Sequence, residues 1–219
     1  KQKFKTFSPP QKFAITEIHQ RQNVLVSAST GTGKTLCGFL AILNELIDSS
    51  QKGILQDKIY CVYISPLKAL NSDIAINLQM PLKEMEELAK KKFGIRVAVR
   101  TGDTTTAERQ KMLKNIPHLL ITTPESLSLL LTSPKFKENL KEVDWCIIDE
   151  THALAENKRG VQLSLALERL QYLSPGMARI GLSATIAPLE AIAQFVAGSD
   201  RDCKIINVPL LKQLDLKVL

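Results

Sequence analysis

The sequence predicts a single α/β domain on a mainly parallel sheet of about seven strands, with helices on both faces. Short β-branched or apolar runs alternate with amphipathic stretches along almost the whole chain, which is the rhythm of βαβ units. With 219 residues and 44% hydrophobic content, the chain is long enough for one sizeable core and short for two. Pro66, Pro124 and Pro188 fall near the starts of amphipathic stretches, where a missing N–H is harmless.

The expected strands are 23–27, 59–64, 95–99, 119–122, 145–149, 179–183 and 204–208, all short and β-branched or apolar. The stretches 35–47, 67–91, 105–113, 124–131, 161–170 and 188–196 carry helical spacing. No repeat or low-complexity tract interrupts this order. Lys90-Lys91-Lys92 reads as a solvated helix end favoured by the dipole. In an open α/β sheet ligands gather beyond the carboxyl ends of the strands, so those ends are where chemistry is sought.

The formal charge of +7 and pI near 9.2 favour an anionic partner without establishing one. Cys37, Cys61, Cys146 and Cys203 are far apart with no CxxC pair, as expected of reduced cysteines in a cytoplasmic protein. No apolar stretch approaches the roughly 20 residues that span a bilayer, so no membrane partner is expected.

Directly after the first strand comes Ala28-Ser29-Thr30-Gly31-Thr32-Gly33-Lys34-Thr35, opening into a helix. This resembles a Walker A phosphate loop. Gly31 and Gly33 let backbone N–H groups face phosphate oxygens, and the helix N-terminus adds its positive dipole end. The resemblance implies that residues 28–35 bind ATP, with Lys34 on the β and γ phosphates and the Thr35 hydroxyl on Mg²⁺. The general pattern begins with Gly, and Ala28 in its place is the habit of helicase-type loops. A plain Gly/Thr-rich turn is the competing reading, which the order of strand, loop and helix disfavours.

The apolar run 145–148 ends in Asp149-Glu150-Thr151-His152, which looks like the DExH box of superfamily-two helicases. The likeness gives Asp149 the Mg²⁺, Glu150 the polarisation of the attacking water, and His152 the coupling of the nucleotide site to Ser183-Ala184-Thr185, a match to helicase motif III. His19 and His118 read as structural. Asp149 and Glu150 diverge as neighbours on a strand end, so they cannot flank a glycosidic bond as opposed carboxyls.

Three further strand ends open into helices. Ile64-Ser65-Pro66-Leu67-Lys68 looks like motif Ia, Arg100-Thr101-Gly102-Asp103 like the motif after the third strand, and Thr122-Thr123-Pro124-Glu125 like motif Ib. Hydroxyls, backbone N–H groups and a cation would converge there on phosphates, gripping a strand without reading its bases. Ser-Pro and Thr-Pro also simply start helices. With aromatic residues at 5%, no base-stacking platform is evident. Upstream, Phe7-Ser8-Pro9-Pro10-Gln11 resembles the motif whose glutamine reads the adenine edge; a surface glutamine after a proline-led helix start is the alternative.

From Phe7 to Gly198 the chain resembles the first RecA-like P-loop domain of superfamily-two helicases of the large helicase-related type. The finer likeness lies in Ser65-Pro66-Leu67-Lys68-Ala69-Leu70-Asn71-Ser72-Asp73, Thr123-Pro124-Glu125-Ser126-Leu127, His152-Ala153-Leu154 with Lys158-Arg159-Gly160, and 179–185. It implies ATP-driven 3′ to 5′ movement on single-stranded DNA and unwinding of DNA or DNA–RNA duplexes, with ATP and Mg²⁺ as cofactors. Lys158 and Arg159 would touch the strand backbone, although a charged loop after a strand is commonly solvated. Residues 1–208 are expected to form this domain and 209–219 to begin the linker to a second RecA-like half, whose arginines accelerate phosphoryl transfer. Alone, the chain is expected to bind nucleotide weakly, hydrolyse it poorly and unwind nothing. RNA in place of DNA, or an ATP-dependent switch that does not translocate, are the rival readings. A metabolic P-loop kinase would need an acceptor-substrate lid, and no such insertion is visible.

Overall fold

The computed structural model describes residues 6–29, 31–66, 68–184 and 188–208, with the backbone alone at 68–72 and 77. Thr30, Leu67, Thr185, the side chain of Lys68 and the expected linker 209–219 lie outside the described residues.

All seven expected strands are present: β1 (Val24–Ala28), β2 (Cys61–Ile64), β3 (Val97–Arg100), β4 (Leu119–Thr122), β5 (Trp145–Ile148), β6 (Ala178–Ser183) and β7 (Lys204–Val208). They form one sheet in the order β3-β4-β2-β5-β6-β1-β7, and every pairing is parallel. Composition explains the order. The five inner strands are apolar and buried on both faces, as a parallel sheet covered on both sides requires. β3 and β7 carry partly exposed residues and stand at the edges.

Alternation along each strand divides the core. Val24, Val26, Tyr63, Ile147, Ile180 and Leu182 pack on the face covered by α1 (Pro9–His19), α2 (Lys34–Gln51) and α3 (Lys68–Ala89). Leu25, Val62, Ile64, Leu120, Cys146 and Ile148 face α5 (Pro124–Thr132), α8 (Lys158–Leu173) and α9 (Leu189–Ala197). Four-residue strands thus supply both layers because each contributes alternate residues to each side. The remaining helices are α4 (Thr106–Lys114), α6 (Pro134–Glu138) and α7 (Thr151–Ala155).

Helix starts follow local chemistry. Thr105 caps α4 with Glu108 returning to its N–H, and Thr123 caps α5 with Pro124 in the first turn. Asn157 accepts from the N–H groups of Arg159 and Gly160, so Lys158 and Arg159 open α8 and do not sit in a loop as the sequence suggested. A Cβ at Gly160 would stand 2.0 Å from the Leu154 carbonyl oxygen, so glycine is what lets α8 turn directly off α7. Lys90, Lys91 and Lys92 are exposed just beyond α3, as read from sequence. No described helix is long and apolar enough to cross a membrane.

Candidate nucleotide site and strand-contacting face

At the carboxyl end of β1 the backbone takes left-handed turns at Gly31 (φ 79°) and Gly33 (φ 83°) before α2 begins at Lys34. At Gly33 a side chain would be strained and would also meet the Gln11 amide nitrogen at 2.9 Å. The loop is pinned inside by the Thr32 hydroxyl donating to the Ser29 carbonyl at 2.7 Å. The Lys34 ammonium is buried and donates to the Ala28 carbonyl. Burial pulls its pKa below the usual lysine range, opposed by the negative fields of Glu150 and Asp149.

Gln11 is buried in α1 and lies against this loop. Its amide oxygen accepts from the Ser8 N–H at 2.9 Å, and its nitrogen faces the Gly33 carbonyl at 3.5 Å. It is therefore no loose surface glutamine, and α1 places it at the phosphate loop.

Asp149 follows the last residue of β5 and is held on every side. Its N–H donates to Ile64 O at 2.8 Å, its Oδ1 accepts from the Glu150 N–H at 2.9 Å, and its Oδ2 accepts from the Tyr63 hydroxyl. Burial raises its pKa and the two hydrogen bonds oppose the rise. Glu150 adopts φ 50°, ψ 43°, a left-handed conformation that costs a non-glycine residue about 1 kcal/mol or more. That bend starts α7 and turns the Glu150 side chain toward His152, with Oε2 at 3.2 Å from Nε2.

The imidazole spans two strand ends. His152 Nδ1 accepts from the Ala184 N–H at 3.1 Å and lies 3.4 Å from the Ser183 hydroxyl. Because Nδ1 accepts from a backbone N–H, the neutral ring carries its proton on Nε2 and donates it to Glu150. Thr151, given no role in the motif reading, adds a second tie by donating to Leu182 O at 3.0 Å. The ends of β5 and β6 are thus joined through side chains as well as through the sheet.

The described residues contain no cluster of three or more His, Cys, Asp or Glu that could enclose a metal. Mg²⁺ beside a nucleotide takes one or two protein oxygens and completes its shell with phosphates and water. Thr35 and Asp149 supply oxygen donors of the right hardness, and the Asp149 carboxylate is held by the Tyr63 hydroxyl.

The other strand ends form a second surface. Ser65 and Pro66 are buried after β2, and the Ser65 N–H donates to Thr122 O at 3.1 Å. The Thr122 hydroxyl donates to Arg100 O at 2.6 Å, so the loops after β2, β4 and β3 are stitched in spatial order. Arg100 is buried with its guanidinium on the Thr101 carbonyl, and its pKa is lowered by burial and then by Arg109. Thr101 N–H donates to the Thr104 hydroxyl, Gly102 is exposed, and Thr123 caps α5.

Arg159 reaches across to two of these loops, donating to Glu125 Oε1 at 2.6 Å and to Pro66 O at 2.8 Å. Burial pushes the Glu125 carboxyl up, but Arg159, a backbone hydrogen bond and Thr123 together leave its pKa below the ordinary range. Lys158 is exposed and has no ion pair among the described residues.

A phosphate loop and an acidic pair at the carboxyl ends of a parallel sheet, joined to the next strand by a histidine, define the ATP-binding core of a RecA-like P-loop domain. The DEAD/DEAH box helicase family model matches residues 8–192, and the chain belongs to that family. It is 55% identical over 226 residues to the ATP-dependent helicase Lhr-Core protein 2 of Thermococcus barophilus, covering 99% of this chain and 26% of that protein. It is 42% identical to the Lhr helicase/uracil glycosylase of Escherichia coli, over 90% of this chain and 13% of that protein. The structure of Mycobacterium smegmatis helicase Lhr bound to ssDNA and AMP-PNP superposes with a TM-score of 0.87 at 41% identity, covering 97% of this chain and 27% of that one. The large helicase-related resemblance read in the motifs is therefore shared by these relatives. The chain spans about a quarter of the length of the Lhr-Core proteins it matches.

Proposed function

We propose that this chain is the ATP-binding half of a nucleic-acid motor, which hydrolyses ATP to move 3′ to 5′ along single-stranded DNA and unwind duplexes. The observation that carries the reading is the His152 bridge, which links Glu150 at the hydrolytic end to Ser183 and Ala184 on the adjoining strand. Residues 28–35 cradle the phosphates, Lys34 neutralises them, and Gln11 faces the adenine. Thr35 and Asp149 would hold Mg²⁺, which would supply charge neutralisation at the phosphate oxygens. Glu150 orients and deprotonates the attacking water, while His152 fixes the carboxylate and reports its position to the end of β6.

Ser65, Pro66, Lys68, Arg100, Thr101, Gly102, Thr122, Thr123, Pro124, Glu125, Lys158 and Arg159 make the strand-contacting face. The backbone N–H groups at the starts of α3, α4 and α5 carry most of its affinity for phosphate. DNA is favoured because the 41% identical Lhr structure holds ssDNA; RNA is the alternative. Residues 1–208 form the domain, and 209–219 begin a linker to a second RecA-like half that completes the ATP site. The setting is cytoplasmic, in keeping with the buried free thiols of Cys37, Cys61 and Cys146.

The test is ATP hydrolysis with and without single-stranded DNA by a polypeptide carrying both halves, beside Lys34→Ala and Glu150→Gln, with this chain as a further control. Strand-stimulated turnover lost in both variants, and weak turnover by this chain alone, is the expected result. Turnover indifferent to nucleic acid would replace the motor with an ATP-dependent switch.

A further inference from the structure

Tyr63 lies one residue before the Ile64-Ser65-Pro66 segment and belongs to no motif singled out in the sequence. It is 1% exposed on the face of β2 covered by α1–α3, with its ring stacked on Phe39 of α2 at 5.1 Å between centroids. Packing alone would be satisfied there by phenylalanine. The hydroxyl, however, donates to Asp149 Oδ2, a carboxylate oxygen of the proposed metal site.

The direction of this bond matters. A phenol has one proton, and Asp149 Oδ2 is its acceptor. The Asp149 carboxylate is thereby fixed in rotation, with Oδ2 on Tyr63 and Oδ1 on the Glu150 N–H. A phenol on β2 therefore aligns an oxygen donor at the end of β5, an element distant in sequence.

We propose that Tyr63 is a positioning residue of the metal–nucleotide site, its hydroxyl orienting the Asp149 carboxylate so that it presents an oxygen lone pair to a divalent cation. This rests on the reading of the site as one for ATP and Mg²⁺. Partners that orient ligating groups from behind change metal affinity by about 10–100-fold when removed.

The experiment is binding of a fluorescent ADP analogue to this chain, titrated with Mg²⁺ and repeated in EDTA, for the native protein and Tyr63→Phe, which keeps the ring and its stacking. The expected result is that Mg²⁺ tightens nucleotide binding in the native chain, and that Tyr63→Phe raises the Mg²⁺ concentration needed about tenfold while leaving the EDTA affinity within about twofold. Equal Mg²⁺ dependence in the two proteins overturns the proposal, as does a Tyr63→Phe loss of equal size with and without Mg²⁺, which marks a packing role only. A native chain whose nucleotide binding ignores Mg²⁺ overturns the ATP and Mg²⁺ reading beneath it. A crystal structure of the native chain with ADP and Mg²⁺ decides the matter without any variant: the Tyr63 hydroxyl on Asp149 is expected, and a phenol turned away from it overturns the proposal.

Discussion

The nucleotide end and the strand-contacting face lie along the same edge of one sheet, yet they handle charge in opposite ways. At the nucleotide end Lys34, Asp149 and Glu150 converge while partly desolvated, with burial working against the charged forms of Lys34 and Asp149. On the other face the arginines are already engaged by the protein itself: the Arg100 guanidinium donates to the Thr101 carbonyl, and Arg159 pairs with Glu125 and donates to Pro66 O. The first arrangement suits chemistry, which requires charges held ready for a reacting group. The second suits the proposed grip, which must be rigid in shape and indifferent to base sequence, with side chains bracing the loops that open into helices. A residue type that reads as a phosphate ligand in sequence can therefore be a strut in space.

The sharpest break between the regions is expected from Glu150→Gln. Replacing a water-activating carboxylate lowers turnover by about 100-fold or more, while nucleotide and strand binding are retained. Single-turnover hydrolysis beside equilibrium binding checks it; a proportional loss of both would mean that Glu150 serves binding.

A smaller effect separates the two cations at the start of α8. Arg159→Ala frees the loops after β2 and β4 from their common strut and is expected to reduce strand-stimulated turnover several-fold, with Glu125→Gln acting in the same direction. Because Arg159 is engaged internally, the salt dependence of strand binding should keep its slope. Exposed Lys158 should behave oppositely, its loss lowering that slope by about one. Measuring binding against salt for the three variants exchanges these roles if Arg159, and not Lys158, changes the slope.

The smallest effect concerns the far end of the strand-contacting half. His118 is fully buried before β4, its Nδ1 accepting from the Arg96 N–H at 3.0 Å. Burial, and then the Arg96 charge, push it down from 6.5 to about 4, with Asp57 and a backbone bond to Gln56 opposing. The unfolded chain therefore takes up the proton first as pH falls. Stability from neutral His118 is present in full above pH 6.5 and declines as pH drops toward 4. About 2 kcal/mol should be gone near pH 5, within a total set also by other groups. Urea midpoints at neutral and mildly acid pH for the native chain and His118→Gln test this: the native slope should be the steeper, and parallel slopes would remove His118 from the account.

Much of the fold was legible because both layers depend on patterns that sequence carries. The inner strands are unbroken apolar runs, and β4 and β7 begin and end where expected. Strand ends were less legible. The run from Ile59 reads as strand, but the ladder starts only at Cys61, where the N–H groups of Tyr60 and Cys61 both turn to His118 O. α7 escaped because five residues carry no helical period, and α1 was read only as a proline-led start around Gln11. Lys158 and Arg159 were read as loop because a charged pair has no period, whereas Asn157 as the cap was the available signal.

The candidate nucleotide residues were named from their spacing because a phosphate loop and an acidic strand end are local devices whose chemistry lies within a few consecutive residues. Tyr63 was not, and Thr151 was quoted without a role, since each acts through a partner on another element: Tyr63 on Asp149, Thr151 on Leu182 O. The sequence by itself thus determined the α/β class, the sequential order of elements, the phosphate loop and the acidic pair, because periodicity and short motifs are properties of neighbours in the chain. Only the tertiary structure decided the strand order, the ring atoms through which His152 makes the coupling read from its motif, the bracing of Arg159 and the placement of Tyr63. Those depend on which distant segments the closing of one core brings within hydrogen-bond reach.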